Sequence, residues 1–477
     1  MADALPRNAI VFRVPPPCNS SKIFHNHPLG DFFTKTGIFE HGGSDPLPLG
    51  VCTTPSGTAH ISRGKETNMK TYGLSYLKNK LKLKQPRVDL RYKYYDMKNG
   101  IIDHSQMIPE QFRWLRSTLG WCSKSVDSLA DRVVFDTFDH DDFMIGEIYR
   151  LNNADVLFDS AVLSALISSC SFLYIAKGEG GYPALQVIDG HSATGIIDPV
   201  TNLMTEGYAI LERDEHGNPI LEAYFRPEQT AYYVNGKLDV ANLHEHKAPY
   251  ALLVPIINRP DAKRPFGHSR ISRACMDLTQ SALRTLRRSE VSAEFYSFPQ
   301  KYVLGLENDV EFNGRKASMS SFLDFGSDSN GNKPTLGQFQ QQSMTPYMEQ
   351  LRAIASLFAG ETGLTLDDLG FSTANPASYD AIKASHENLR LMARKAQRTF
   401  GVGFLNAGYL AACVRDSQAY DRKAFANTIP MWQPIFEPDA AGLGVIGDAI
   451  LKINQAYPDF LGARNIKQLT GMESDAE

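Results

Sequence analysis

From Ser269 to about residue 296 the sequence keeps a helical period without a break, with prolines at 260 and 265 before the run and at 299 after it. Ile271, Cys275, Leu278, Ala282 and Leu286 fall on one side. The other faces carry Arg270, Arg273, Arg284, Arg287 and Arg288 against Asp277, Glu290 and Glu294. At a rise of 1.5 Å, about 28 residues make a rod of roughly 40 Å. A rod of that length is a strut, and Ser269 is placed to cap its start.

Beyond residue 297 the chain turns back on the strut. Pro299 ends the helix, and Tyr302-Val303-Leu304 and Phe322-Leu323-Asp324-Phe325 read as strands around a polar loop. Residues 326–343, rich in Gly, Ser, Asn and Gln, read as an exposed tip. A second helix starts near 345, with Tyr347, Leu351, Ile354 and Phe358 on one stripe, and ends near Gly360 or Gly363. After a loop over 364–376, a helix restarts near Ala377 and runs past Leu389, Met392, Ala396 and Phe400. Gly401 and Gly403 are expected to bend it before Leu405 and Tyr409 continue. Beyond Pro430 and Pro434 the chain reads as a short mixed cap with an acidic tail.

Upstream of the strut the texture changes twice. Residues 1–68 are rich in Pro, Gly, Ser and His without a sustained period, which predicts an extended arm, and Met69 could be an alternative start. Lys70, Lys78, Lys80, Lys82, Lys84, Arg87, Arg91, Lys93 and Lys98 then face only Asp89 and Asp96. With Leu74, Leu77 and Leu81 at helical spacing, the run reads as the solvated face of an amphipathic helix rather than a nucleic-acid contact. Residues 106–170 look mainly helical, with Phe112, Leu115 and Leu119 on one stripe and Val156, Ala161, Leu163 and Leu166 on another. From 172 to 257 the runs Phe172–Ile175, Tyr208–Leu211, Ile220–Phe225 and Ala231–Val234 are β-rich, and turn signals separate them. The signals at Asp214–Asn218 and at Asn235-Gly236 predict an antiparallel sheet.

Composition narrows the function classes. An apolar share of 43% and a charged share of 21% over 477 residues describe a folded chain with more than one structural unit. A net charge of -4 gives no overall pull on nucleic acid and disfavours a sequence-specific DNA binder. Cysteines at 18, 52, 122, 170, 275 and 413 form no CxxC pair, which suits a reducing compartment. No run approaches the length of a bilayer span and no signal core follows the N-terminus, so a cytosolic protein without membrane contact is expected.

Motifs for catalysis are weak. Gly326 to Lys333 lacks the spacing of a phosphate loop, and Pro334 stands where a hydroxyl would hold magnesium. Asp136, Asp139, His140, Asp141 and Asp142 could make a metal-dependent nuclease site. Acids before Phe143-Met144-Ile145 read better as caps of a helix. Cys18, His25, His27, His41, Cys52 and His60 have no zinc-site spacing, and His244-Glu245-His246 is not the HExxH of a zinc protease. No enzyme activity, cofactor or metal is expected.

The ordered set resembles the portal, or head-to-tail connector, proteins of tailed bacteriophages of the Siphoviridae-like type. Two strings carry the first half of the resemblance: Arg264-Pro265-Phe266-Gly267-His268-Ser269-Arg270-Ile271 with Leu283-Arg284-Thr285-Leu286-Arg287-Arg288, and Phe298-Pro299-Gln300-Lys301-Tyr302-Val303-Leu304-Gly305. The second half lies in Thr365-Leu366-Asp367-Asp368-Leu369-Gly370-Phe371 through Asn375-Pro376-Ala377-Ser378-Tyr379-Asp380-Ala381-Ile382-Lys383. It covers about 100–430 and is strongest over 264–400.

The resemblance implies an α+β portal fold with these divisions: an N-terminal arm (1–68), an antiparallel-β/α wing (69–263), stem helices (264–297 and 344–363), a small β clip (298–343), a tunnel loop (364–377), a long bent wing helix (378–429) and a C-terminal crown (430–477). It further implies a ring, most simply a dodecamer, at one capsid vertex of the virion, assembled in the host cytoplasm, through which double-stranded DNA is packaged and ejected. Terminase large subunit, major capsid or scaffolding protein and a head-completion adaptor would be its partners. Asp367, Asp368, Phe371 and Asn375 would line the channel; Arg284, Arg287 and Arg288 would belong to the stem; Asp328, Asn330 and Lys333 would dock partners at the clip. Another virion structural or adaptor protein is the alternative.

One charge pattern bears on that reading. From Glu361 to Ile382 there is no Lys or Arg, while Glu361, Asp367, Asp368 and Asp380 are acidic. In a ring each charge is repeated, so a cationic belt would grip phosphates, whereas an acidic passage lets DNA slide. Equally, Asp367 and Asp368 could simply cap a turn. For the strut arginines, pairing between subunits or solvation is expected over DNA contact.

Overall fold

The computed structural model describes residues 71–472 apart from 103–107, 109, 179–180, 298–300, 305–330, 332, 334, 339, 341–342, 372–378, 437, 439 and 459. The arm expected over 1–68, the strand expected at Phe322–Phe325 and most of the glycine-rich tip lie outside the described residues.

The first described helix, α1 (Leu74–Tyr95), forms where the basic run predicted one. Its buried Leu77 and Leu81 pack on Tyr208, Ile210 and Tyr224 of a sheet, with Leu74 alongside. Lys82, Arg87, Lys93 and Lys98 are exposed as that face predicts, but three other lysines are held against the body. Lys78 Nζ lies 2.7 Å from the buried Glu222 carboxylate, Lys80 Nζ donates to the Gly195 carbonyl at 2.7 Å, and Lys84 lies 5.4 Å from the Phe266 ring centre. Partners more than a hundred residues away turn a charged face into a docking face.

Next come α2 (Trp121–Ala130), β1 (Phe135–Asp139), α3 (Ile145–Leu151) and α4 (Ala154–Ser168). The stripe expected at Phe112, Leu115 and Leu119 is not a helix. One 3-10 turn spans Glu110–Phe112, and the chain then runs irregularly to 120. Asp141 does cap a helix, its two oxygens accepting from the Ile145 and Gly146 N–H groups at 2.8 and 2.7 Å. Asp136 instead pairs with Lys467 at 3.2 Å. Among the described residues no group of three metal-ligating side chains comes together.

Strand β2 (Cys170–Lys177) turns into β3 (Pro183–Ile188), and five strands follow as a meander: β4 (Ala193–Ile197), β5 (Met204–Arg213), β6 (Pro219–Arg226), β7 (Gln229–Val234) and β8 (Lys237–Glu245). All neighbours in this five-stranded sheet are antiparallel. Both expected hairpins form. Asn235 and Gly236 take φ of 49° and 77° between β7 and β8, the left-handed pair that a two-residue turn needs. The next strand, β9 (Leu253–Ile257), returns to pair with β2, giving a three-stranded sheet in the order β3-β2-β9.

The apolar run of β2 is buried on both faces because two layers cover it. Tyr174 faces the five-stranded sheet, its ring 5.3 Å from Phe225 and its hydroxyl 2.6 Å from that of Tyr232. Ser171 faces the helices and donates to Ala161 of α4 at 2.7 Å. Glu206, buried in β5, fastens α1 to this body by accepting from the Tyr72 and Gly73 N–H groups (2.7 and 3.0 Å) and from the Tyr224 hydroxyl (3.0 Å). Glu206→Ala strands three donors. It is expected to cost about 2–4 kcal/mol in urea unfolding, and α1 should become the first site of proteolytic cutting.

The remaining elements are α5 (Arg273–Ser297), β10 (Lys301–Leu304), β11 (Thr335–Gln338), α6 (Thr345–Thr362), α7 (Tyr379–Ser385), α8 (Glu387–Arg415), β12 (Ile429–Trp432), α9 (Ala440–Ala456) and α10 (Ala463–Thr470). Strand β12 pairs with β1 across nearly three hundred residues.

Helix α8 is hydrogen-bonded through Gly401 and Gly403, where a bend was expected; the interruption lies at His386, between α7 and α8. The two glycines serve close packing. A Cβ at Gly401 would lie 2.7 Å from Pro430, and one at Gly403 would lie 2.7 Å from Ile256. Among the described residues no helix is long and apolar enough to cross a membrane.

Candidate functional site: a tipped strut and the turn behind it

The strut pattern is realised as α5 and α6 lying antiparallel over their whole shared length. At one end Ser272 Oγ donates to Glu361 at 2.9 Å; at the other the hydroxyls of Ser292 and Tyr347 are 2.8 Å apart. Between these ends the stripes predicted from sequence face the core, Cys275 and Ala282 buried and Leu278 and Leu286 half-buried on α5, with Leu351, Ile354 and Phe358 buried on α6. The cap is Ser272, whose hydroxyl accepts from the Cys275 N–H at 3.2 Å, and not Ser269. Ser269 sits in the preceding joint, donating to the Ile167 carbonyl at 2.5 Å. Helix α6 stops at Gly363, whose φ of 70° and N–H to the Ala359 carbonyl (2.7 Å) close it.

Two of the strut arginines bond within their own chain. Arg284 and Arg287 hold their own chain, donating to the carbonyls of Ile102 (3.4 Å) and Arg113 (3.0 Å). Gln280 adds two bonds, accepting from the Ile102 N–H and donating to the Gly100 carbonyl, and Ser117 donates to Glu290. The irregular segment that was expected to be a helix is thus strapped along the strut by these side chains. Arg288 is exposed.

The tip is a two-stranded antiparallel sheet, Lys301 opposite Gln338 through Leu304 opposite Thr335. Thr335–Gln338 was read as part of an exposed loop, but its backbone pairs with β10. Lys333 is exposed beside it; Asp328 and Asn330 lie outside the described residues.

Behind the strut, residues 363–371 form an anchored turn. Leu364 and Leu369 enter the core, Phe371 is half-buried, and Asp367 and Gly370 face outward. Asp368 does what the plainer reading of this pair foresaw. Its Oδ2 accepts from the Thr365 N–H (2.9 Å) and hydroxyl (2.8 Å) and lies 3.2 Å from His386 Nε2. Burial alone would raise this carboxyl, but the Thr365 hydrogen bonds and the His386 ring outweigh it and hold it below the ordinary carboxylate range. The same contact ties the turn to the break between α7 and α8. Asn375 lies outside the described residues.

Sequence reasoning placed Arg270 on the strut's polar face, yet it is 6% exposed and lies where the strut meets the body. Its guanidinium donates to the carbonyls of Ser125 (3.2 Å) and Thr362, and its Nη1 lies 2.9 Å from the Met392 sulfur. It thereby joins α2, the last turn of α6 and α8. Arg270 precedes the first helical residue, Arg273, by three positions, so the helical face of Arg284 and Arg287 does not extend to it.

No family model matches the chain. The chain is 24% identical over 334 residues to the portal protein of Mycobacterium phage L5, covering 65% of this chain and 67% of that protein. To the portal protein of Mycobacterium phage D29 it is 23% identical over 330 residues, covering 64% and 66%. The match therefore spans about two thirds of each relative's length. Among solved structures, a chain from the virion of a native gene transfer agent particle shares 15% identity at a TM-score of 0.40, covering 74% of this chain and 90% of that one. One from the neck of the native particle, computed with C12 symmetry, shares 14% at the same TM-score and the same coverage. Likeness at that score decides nothing about the fold. The two sequence matches, at 24% and 23% identity, liken this chain to phage portal proteins.

Proposed function

We propose that the chain is the subunit of the portal ring at one capsid vertex, a structural and non-enzymatic part of the virion through which double-stranded DNA enters and leaves. The observation that carries this reading is the antiparallel strut pair tied at both ends, Ser272 to Glu361 and Ser292 to Tyr347, with a small sheet at its tip. A strut that projects from a body gives identical copies something to set side by side around an axis. A head-to-tail contact of this kind closes into a ring when its rotation divides a full turn. In this reading residues 69–263 are the wing, α5 and α6 the stem, 298–343 the clip, 364–377 the channel loop and 430–477 the crown. Helix α8 ends at Arg415, so the long wing helix is shorter than the 378–429 read from sequence. The clip docks the terminase large subunit during packaging and the head-completion adaptor afterwards, and the wing meets capsid or scaffolding protein.

Negative-stain microscopy with native mass measurement of the purified full chain tests the reading. Rings with a central hole, most simply the dodecamers that the resemblance to portal proteins implies, are expected. Compact monomers at every concentration would sink it.

The turn also sharpens the charge argument. Asp368 is held within the turn and Asp367 faces outward, so Asp367 is the residue to substitute in testing an acidic passage. Asp367→Lys changes the charge by two for every copy in the ring, and packaging is expected to slow or stall because a cationic belt holds phosphates. Full-rate packaging by that variant in an assay with purified terminase would show that the charge of the loop does not matter.

A further inference from the structure

Away from the strut, at one end of the two sheets, five separate pieces of chain enclose a cleft of about 850 Å³. Lys177 enters from the end of β2, Tyr182 from the start of β3, Arg226 and Glu228 from the turn between β6 and β7, His244 through Lys247 from the end of β8, and Arg415 from the end of α8. Four permanent cations, Lys177, Arg226, Lys247 and Arg415, thus face two carboxylates, Glu228 and Glu245. Arg415 is already matched by Asp416 at 2.8 Å, and Arg226 shares a hydrogen bond with Gln229. Neither Lys177 nor Lys247 has an ion-pair partner among the described residues, and both are exposed.

Behind the lysines lies a pair of imidazoles, His244 and His246, with ring centres 5.6 Å apart. His246 is 8% exposed and neither of its ring nitrogens makes a well-aligned hydrogen bond, its near polar neighbour being the Ala248 backbone; Nδ1 of His244 likewise makes none. Buried polar groups left this way are uncommon and call for a reason. Burial, then the neighbouring His244, pushes His246 down to about 4, while burial and the charge of Lys177 lower His244. Among the described lining residues the cations outnumber the carboxylates.

We propose that this cleft is a binding site for a small oxyanion of the phosphate class, held by Lys177, Arg226 and Lys247 in front of the His244 and His246 pair. Its volume suits a small molecule. A double helix, whose major groove alone is about 12 Å wide, is too large to enter it. A bound dianion offsets the field of Lys177 and favours a proton on His244, so binding takes up a proton and tightens as pH falls. The charged and titratable groups facing the pair are Lys177, Arg226, Lys247, Arg415, Glu228, Glu245 and Tyr182, and histidine is the side chain whose ordinary range falls between pH 6 and 8. The site is independent of the portal reading.

Sulfate, a dianion throughout this range, is the probe. Its effect on the melting temperature of the full chain is titrated at pH 6 and pH 8 against sodium chloride of equal ionic strength. A saturable rise is expected, with apparent affinity higher at pH 6 than at pH 8. Lys177→Glu with Lys247→Glu should abolish the saturable part, and His244→Gln should keep it while removing the pH step. Competition by inorganic phosphate marks the free ion as guest, competition only by a nucleoside monophosphate marks a phosphorylated molecule, and either supports the site. A sulfate effect no larger than that of chloride, one that survives in the double lysine variant, or one that is the same at both pH values overturns the proposal.

Discussion

Arg270→Ala is expected to lower the unfolding free energy by about 3–5 kcal/mol, against about 1–2 kcal/mol for Arg270→Met. Two effects oppose each other at this residue. Burial pulls its pKa down to about 10, so the ionised guanidinium is held in the fold at a cost of a few kcal/mol. Set against that, it supplies donors to the Ser125 and Thr362 carbonyls and fills the space between α2, α6 and α8. Methionine keeps most of the volume and removes the desolvation cost, so it recovers part of what the lost donors took. Alanine recovers the same cost but opens a cavity where three helices meet. The ordering of the two variants in urea melts is the test. If alanine is no worse than methionine, Arg270 is a tolerated charge and not the bolt of the strut.

That bolt shows which parts of the fold could be read from sequence. Patterns local to one element survived: the stripe of α5 between its flanking prolines, the stripe Leu351, Ile354 and Phe358 on α6, and the Asn235-Gly236 turn all appear where their spacing put them. What failed depended on partners far along the chain. Lys78 read as a solvated lysine because Glu222 is 144 residues away. Phe135–Asp139 read as part of a helical, acid-capped stretch because its partner strand begins at Ile429. The irregular segment before α2 took on a helical look from its apolar spacing, although its shape is set by Gln280, Arg284 and Arg287 on another helix.

The candidate site was legible in outline, since strut, tip and return helix follow one another in the chain. Its details were not, because Ser272, and not Ser269, meets Glu361 only once the two helices are side by side. The cleft of the sulfate experiment left no trace at all. Five segments build it, and the string His244-Glu245-His246 carries no spacing that points to a ligand.

Gly267→Ala is expected to cost at least about 3 kcal/mol, and Gly217→Ala, at a hairpin with a similar backbone angle, about 1 kcal/mol. Gly267 has φ of 68° and Gly217 φ of 82°, so both pay for a side chain in the left-handed region. They differ in what the new Cβ meets. At Gly217 nothing lies within 4 Å, whereas at Gly267 the Asn258 carbonyl oxygen would be 2.0 Å away and the Ile257 side chain 2.8 Å. Backbone oxygen cannot swing aside as a side chain can, so either the 258–268 loop or the end of β9 must move. Asn258 holds that loop closed, accepting from the His268 N–H (2.9 Å), donating through Nδ2 to the His268 carbonyl (2.8 Å) and donating its own N–H to Ser169 (3.0 Å). Arg270 follows two residues after His268, so the displacement reaches the bolt directly. The difference between the two glycine variants in the same urea melt therefore isolates the contact from the backbone angle. Equal losses would mean that the loop gives way freely, and that the start of the strut is not fixed from this side.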